Sequence, residues 1–148
     1  MTKFIKWISR RLYVGLNRGR ILKAIQSGPR LAWPFVEYVW SQAFGVYRTR
    51  VGASARKPFE LLVLEEMLKK GAECEDVLSE NLLHHNPYVS AYCLLGLERF
   101  NNRKVKVLPA ELLGRKDCLL VHTGSFVSSQ SLGDFAKQIS DAAIKSGS

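Results

Sequence analysis

Several groups of side chains in this chain of 148 residues have types or spacings that chemistry could use. His84 and His85 are adjacent and suggest half of a metal site. Neighbours on a helix point about 100° apart, so both rarely reach one ion. The pair is read instead as helix-end residues facing the C-terminal dipole. His122-Thr123-Gly124-Ser125 joins an apolar run to a segment ahead of a helix. That placement suits a phosphate at a helix N-terminus, or a nucleophilic Ser125. No spacing pattern supports either, and the segment is read as a polar loop. Glu65-Glu66 with Glu73, Glu75 and Asp76 form an acidic patch, read as a solvated face or as a partner for the chain's own basic part. Cys74, Cys93 and Cys118 are odd in number and include no C-x-x-C pair, which argues against a disulfide framework and for a reducing, cytoplasmic compartment. Cys93 lies in an apolar run and reads as a small core residue. The phosphate-loop, dinucleotide, H-E-x-x-H and G-x-S-x-G signatures do not occur. The chain is therefore expected to be no enzyme, with no metal, no cofactor and no small-molecule substrate.

Charge is the more informative chemistry. Lys and Arg number 22 against 13 Asp and Glu, a net of +9. Residues 1–58 hold 12 basic residues and one acid, Glu37, whereas residues 59–100 hold 3 basic and 8 acidic. Eight of the 12 are arginines: Arg10, Arg11, Arg18, Arg20, Arg30, Arg48, Arg50 and Arg56. The guanidinium fork binds two oxygens at once, so these residues are predicted to form an anion-binding surface. Trp7, Tyr13, Trp33 and Tyr47 could stack on bases, but most of them are expected in the core. A competing expectation is internal neutralisation, with these arginines paired to Glu65, Glu66, Glu73 or Glu75.

The elements that must position this surface are mostly helical. At 47% hydrophobic and 24% charged residues the chain is globular in composition, and its length suits a single domain. No run of 18 residues is free of charge, which argues against a spanning helix. Phe4, Ile5, Ile8, Leu12 and Leu16 form the stripe of an amphipathic helix. The first 25 residues also have the Arg-rich, acid-free character of a transit peptide, and the stripe suits a core helix equally well. A short helix is predicted over Arg20 to Gln26, ended by Ser27-Gly28-Pro29. Another is expected from Pro34 to about Arg50, carrying Phe35, Val36, Val39, Trp40, Ala43 and Tyr47. Pro58 opens a third strong helix, capped at Gly71. A fourth is expected over Glu73 to His85, with Leu82 and Leu83 inward, and a fifth begins at Asn86-Pro87. Lys104 to Leu108 alternates like a short strand, Pro109 to Gly114 suits a helical turn or two, and Cys118 to His122 is a short apolar run that suits a buried strand, though its periodicity does not separate it from a helix. Thr123 to Gln130 reads as a loop. Ser131 with Asp134 three residues on resembles a capping box for a final helix.

The run Leu82-Leu83-His84-His85-Asn86-Pro87-Tyr88-Val89-Ser90-Ala91-Tyr92 resembles a HEAT-type helical unit over about Glu73 to Asn101. In that family the second helix often opens with Asn or Asp, then Pro and a branched apolar residue. The sequence departs from the pattern at Ser90, where a basic residue is common. The resemblance implies a HEAT-like helical hairpin that binds macromolecules. Residues 1–58 read as a basic helical part, 59–102 as the HEAT-like part and 103–148 as an α/β tail: a mainly α protein. Function is read as a binding or adaptor protein whose partner is nucleic acid or an acidic protein. The alternatives are an immunity-type inhibitor of a toxin, and attachment of the first helix to an anionic membrane surface.

Overall fold

The structure is a computed structural model and describes residues 17–48, 58–100, 103–123 and 126–146. The apolar stripe of residues 4–16 lies outside them, as do Arg10, Arg11, Arg50 and Arg56.

Helix α1 occupies residues 17–27 and α2 spans Pro29–Ser41. Gly28 separates them, its N–H donating to Ala24 O at 3.1 Å. The sequence placed the start of α2 at Pro34, but Pro29 takes the first turn and Pro34 lies inside the helix. Two prolines carry the same first-turn signature, and the earlier one follows directly on the break at Gly28. Pro34 is exposed, so water can solvate the carbonyl that its missing N–H leaves free. Ala32, Val36, Val39 and Trp40 repeat at helical spacing and are buried. The helix does not reach Arg50. It ends at Ser41, and Val46–Tyr47 form a short strand, β1.

Helix α3 (Phe59–Leu68) follows Pro58, and α4 (Ala72–Glu80) follows Gly71, whose φ of 63° falls in the left-handed region that favours glycine. The predicted extension of α4 to His85 fails: residues 81–86 form the turn to α5 (Pro87–Arg99), with Leu82 buried and Leu83 half exposed. Asn86 caps α5 as expected, its Oδ1 accepting from the N–H groups of Tyr88 (2.9 Å) and Val89 (3.3 Å).

Every residue from Val89 to Leu97 is buried, because α5 is packed by α2, α3, α4, the sheet and the last helix. Ser90 is among them, donating to His84 O at 2.9 Å. A basic side chain there would be cut off from water, which accounts physically for the departure at this position. Trp40 stacks on Tyr92 at 5.2 Å, and Tyr92 OH donates to Gly45 O while accepting from Tyr47 N–H. One aromatic residue of α5 thereby fixes β1.

The segment expected as a strand at Lys104 to Leu108 is a 3-10 turn at Arg103–Val105, with Val105 buried and Val107 exposed. Its alternation is real, but no neighbouring strand pairs with it. Helix α6 covers Ala110–Leu113. The strand expected near Cys118 is β2 (Cys118–Thr123), but it is buried on one face only, through Leu119 and Val121, and Leu120 is exposed. The expected loop after it is instead β3 (Phe126–Ser131), paired antiparallel with β2 from Thr123↔Phe126 to Cys118↔Ser131. Backbone ladder bonds hold this serine-rich strand at the sheet edge, where no apolar alternation is required. Sheet order is β1-β2-β3, with β1 parallel to β2. Helix α7 (Leu132–Ser146) closes the chain. Its Asp134 N–H donates to Ser131 Oγ, and Leu132, Phe135, Ala136 and Ile139 face inward. The protein is mainly helical with a short α/β tail.

Candidate anion-binding surface

Four of the eight arginines fall in the described residues, and they divide into two kinds. Arg30 at the start of α2 grips Glu80 at the end of α4 through two bonds of 2.8 and 3.0 Å, and its amide donates to Glu73 Oε1 at 3.4 Å. The hydrogen bond from Arg30 holds the Glu80 carboxyl below the usual carboxylate range, and Glu80 raises Arg30 in return. Both side chains are more than half exposed, so the pair is screened by water. Arg48 follows β1. Its guanidinium is 3.5 Å from Glu98 and 5.9 Å from the Phe135 ring centre, and its N–H donates to His122 O at 3.0 Å. Internal neutralisation therefore occurs at two arginines, through ion pairs with Glu80 and Glu98; of the predicted acids only Glu73 takes part, through the Arg30 amide and at longer range its charge. Glu66 instead pairs with Lys69 at 2.8 Å.

Arg18 and Arg20 are different. Both are exposed on α1, together with Lys23. Arg18 lies 4.9 Å from the ring centre of Phe59, a cation–π contact that leaves the guanidinium facing solvent. Arg20 borders an open cavity of about 270 Å³, which is also lined by Asn17, Ile21 and Phe35. Among the described residues none of these three cations makes an ion pair. Beside them α2 leaves two large apolar residues in water, Leu31 at 72% and Phe35 at 40% exposed. Leu31 was missed in the sequence because the helix was started three residues after it, and Phe35, expected among the apolar residues that this helix carries, stands exposed instead. Their spacing of four, out of phase with Ala32 and Val36, was the available signal.

The other chemistry-bearing residues serve the fold. His84 and His85 lie beyond the end of α4, with rings stacked at 4.4 Å, so the helix-dipole reading is replaced by specific bonds. His84 Nδ1 accepts from Asn86 N–H at 3.0 Å, which puts the proton of the neutral ring on Nε2, 2.9 Å from Glu37 Oε2. Arg115 Nη1 and Nη2 donate to the carbonyls of His84 and His85, and Nε donates to Asp117. His122 stacks on Tyr47 at 4.4 Å. β3 intervenes between His122-Thr123 and α7, so no helix begins directly after that segment; Gly124 and Ser125 lie outside the described residues. The three cysteines are free. Burial pushes the Cys74 thiol up to about 12 and the Cys93 thiol higher still, which suppresses the reactive thiolate at both. Among the described residues no three His, Cys, Asp or Glu side chains cluster as metal ligands, and no helix is long and apolar enough to cross a membrane.

Compared with protein-family models, with curated proteins and with solved structures, the chain finds no match.

Proposed function

We propose that this is a non-enzymatic binding or adaptor protein that docks on an anionic macromolecule through the basic surface of α1. The observation that supports it is the division among the cations. Arg30 and Arg48 have carboxylate partners within the chain, whereas Arg18, Arg20 and Lys23 stand exposed within two turns of one helix. Exposed cations without an ion-pair partner among the described residues raise the local potential and attract a polyanion. In this reading the HEAT-like hairpin of α4 and α5 is the scaffold against which α2 packs, and in the sequence Arg10, Arg11, Arg50 and Arg56 add to the basic excess of residues 1–58.

The test is a fluorescence-anisotropy titration of the full chain at low salt with three labelled probes: duplex DNA, single-stranded RNA and polyglutamate. Saturable binding to at least one of them, weakening as salt rises, is expected. No binding to any of the three would remove the proposal.

A further inference from the structure

The cavity beside Arg20 combines features that a purely electrostatic surface does not need. At about 270 Å³ it is smaller than most small-molecule pockets, and its apolar walls come from Ile21 of α1 and Phe35 of α2. That size suits a single large side chain of a partner, the kind of central anchor on which interfaces depend. Leu31 and Phe35 extend the apolar strip along α2, one helical turn apart, about 6 Å of rise. An amphipathic helix presents anchors at the same i, i+4 interval. Arg20 supplies positive charge at the cavity beside Phe35, and Lys23, three residues on and exposed, shares Arg20's side of α1.

We infer that the seam between α1 and α2 receives an acidic amphipathic helix of another protein. An apolar side chain of that helix enters the cavity between Ile21 and Phe35, and its carboxylates face Arg20 and Lys23. The inference rests on the proposed anionic partner and specifies its chemistry. Charge selects this occupant. The chain's own first 16 residues carry Lys3, Lys6, Arg10 and Arg11 and no acid, so they share the sign of the rim. A nucleic acid would complement the cations but would leave Leu31 in water.

The experiment is selection of a random peptide display library against the full chain, followed by titration of the enriched peptides. The variants are Leu31→Ser with Phe35→Ser, and Arg20→Glu. Leu31 projects into solvent and Phe35 is well exposed, so the double variant is expected to keep its circular dichroism spectrum and melting temperature. Enriched peptides should carry Asp or Glu flanking large apolar residues at i, i+4. Their affinity should fall at least tenfold in both variants, while polyglutamate binding survives the double serine variant. Acidic peptides that bind that variant as tightly as the wild type would overturn the inference and leave the proposed function standing. Enrichment of no acidic peptide, alongside duplex DNA or RNA binding that ignores Leu31 and Phe35, would overturn it in favour of nucleic acid. So would binding to phosphatidylserine vesicles that is lost in the double serine variant, in favour of a membrane. Failure of every polyanion at low salt would remove both proposals together.

Discussion

Arg115 joins three parts of the chain through one guanidinium. Its bonds of 2.6 and 2.8 Å hold the carbonyls of His84 and His85 in the turn before α5, and its Nε bond fixes Asp117 just before β2. Lysine keeps the charge but lacks the fork. Arg115→Lys should therefore lower stability by about 1–3 kcal/mol in urea unfolding, since at least one carbonyl loses its donor. The carboxylates held by arginine make stability depend on acid pH. Hydrogen bonds from Arg30 and Arg115 depress Glu80 and Asp117 respectively. A carboxylate depressed in the folded state contributes stability that is present above its ordinary range near pH 4 and is lost as pH falls through the folded value. The urea midpoint should fall on acidification below about pH 4, and Glu80→Gln with Asp117→Asn should flatten that fall. Equal slopes in variant and wild type would show that the two pairs contribute nothing. The side-chain contacts legible in the sequence were the caps at Asn86 and Ser131, whose donors are two or three residues away. The partners His84 and Glu37 are 47 residues apart, and Arg30 and Glu80 are 50 apart. Nothing local encodes such pairings.

At the scale of elements, α5 is the post around which the others are arranged. Leu95 is buried within it, and Leu95→Ala should cost about 2–5 kcal/mol by urea unfolding. Two glycines make a contrasting pair. A Cβ at Gly133 would press into the backbone carbonyls of Leu113 and Arg115, which α6 and its following turn hold in place, so Gly133→Ala should destabilise. Gly19 has open space around it in helix α1, and Gly19→Ala should stabilise by about 0.5–1 kcal/mol through backbone entropy. A thermal melt of each variant gives the two signs. The helices were readable where caps and apolar period coincide, as at Pro58, at Asn86-Pro87 and at Ser131. The errors fall where an element depends on a distant neighbour. β1 is two residues long and exists because β2 and Tyr92 receive it. β3 is a polar strand made by its ladder to β2, and the alternation at 104–108 lacks such a partner.

For the whole molecule, the uneven charge is the property with functional consequence. The basic excess of residues 1–58 was plain in the sequence, but which arginines stay available was not. That depends on α2 meeting α4, and on β1 lying beside α5. Exposed Leu31 was hidden for a different reason, because the helix was read as starting at Pro34. The measurement that bears most directly on the account is the affinity of the tightest polyanion probe for the wild type and for Arg18→Glu, Arg20→Glu, Lys23→Glu combined, across a salt series. All three residues are exposed, so the variant should keep its circular dichroism spectrum, with the melting temperature lowered only by loss of the Arg18–Phe59 contact. The account predicts a loss of about tenfold or more at low salt, with a shallower log–log dependence on salt than the wild type. Equal affinity and an equal salt slope for the two proteins would contradict it.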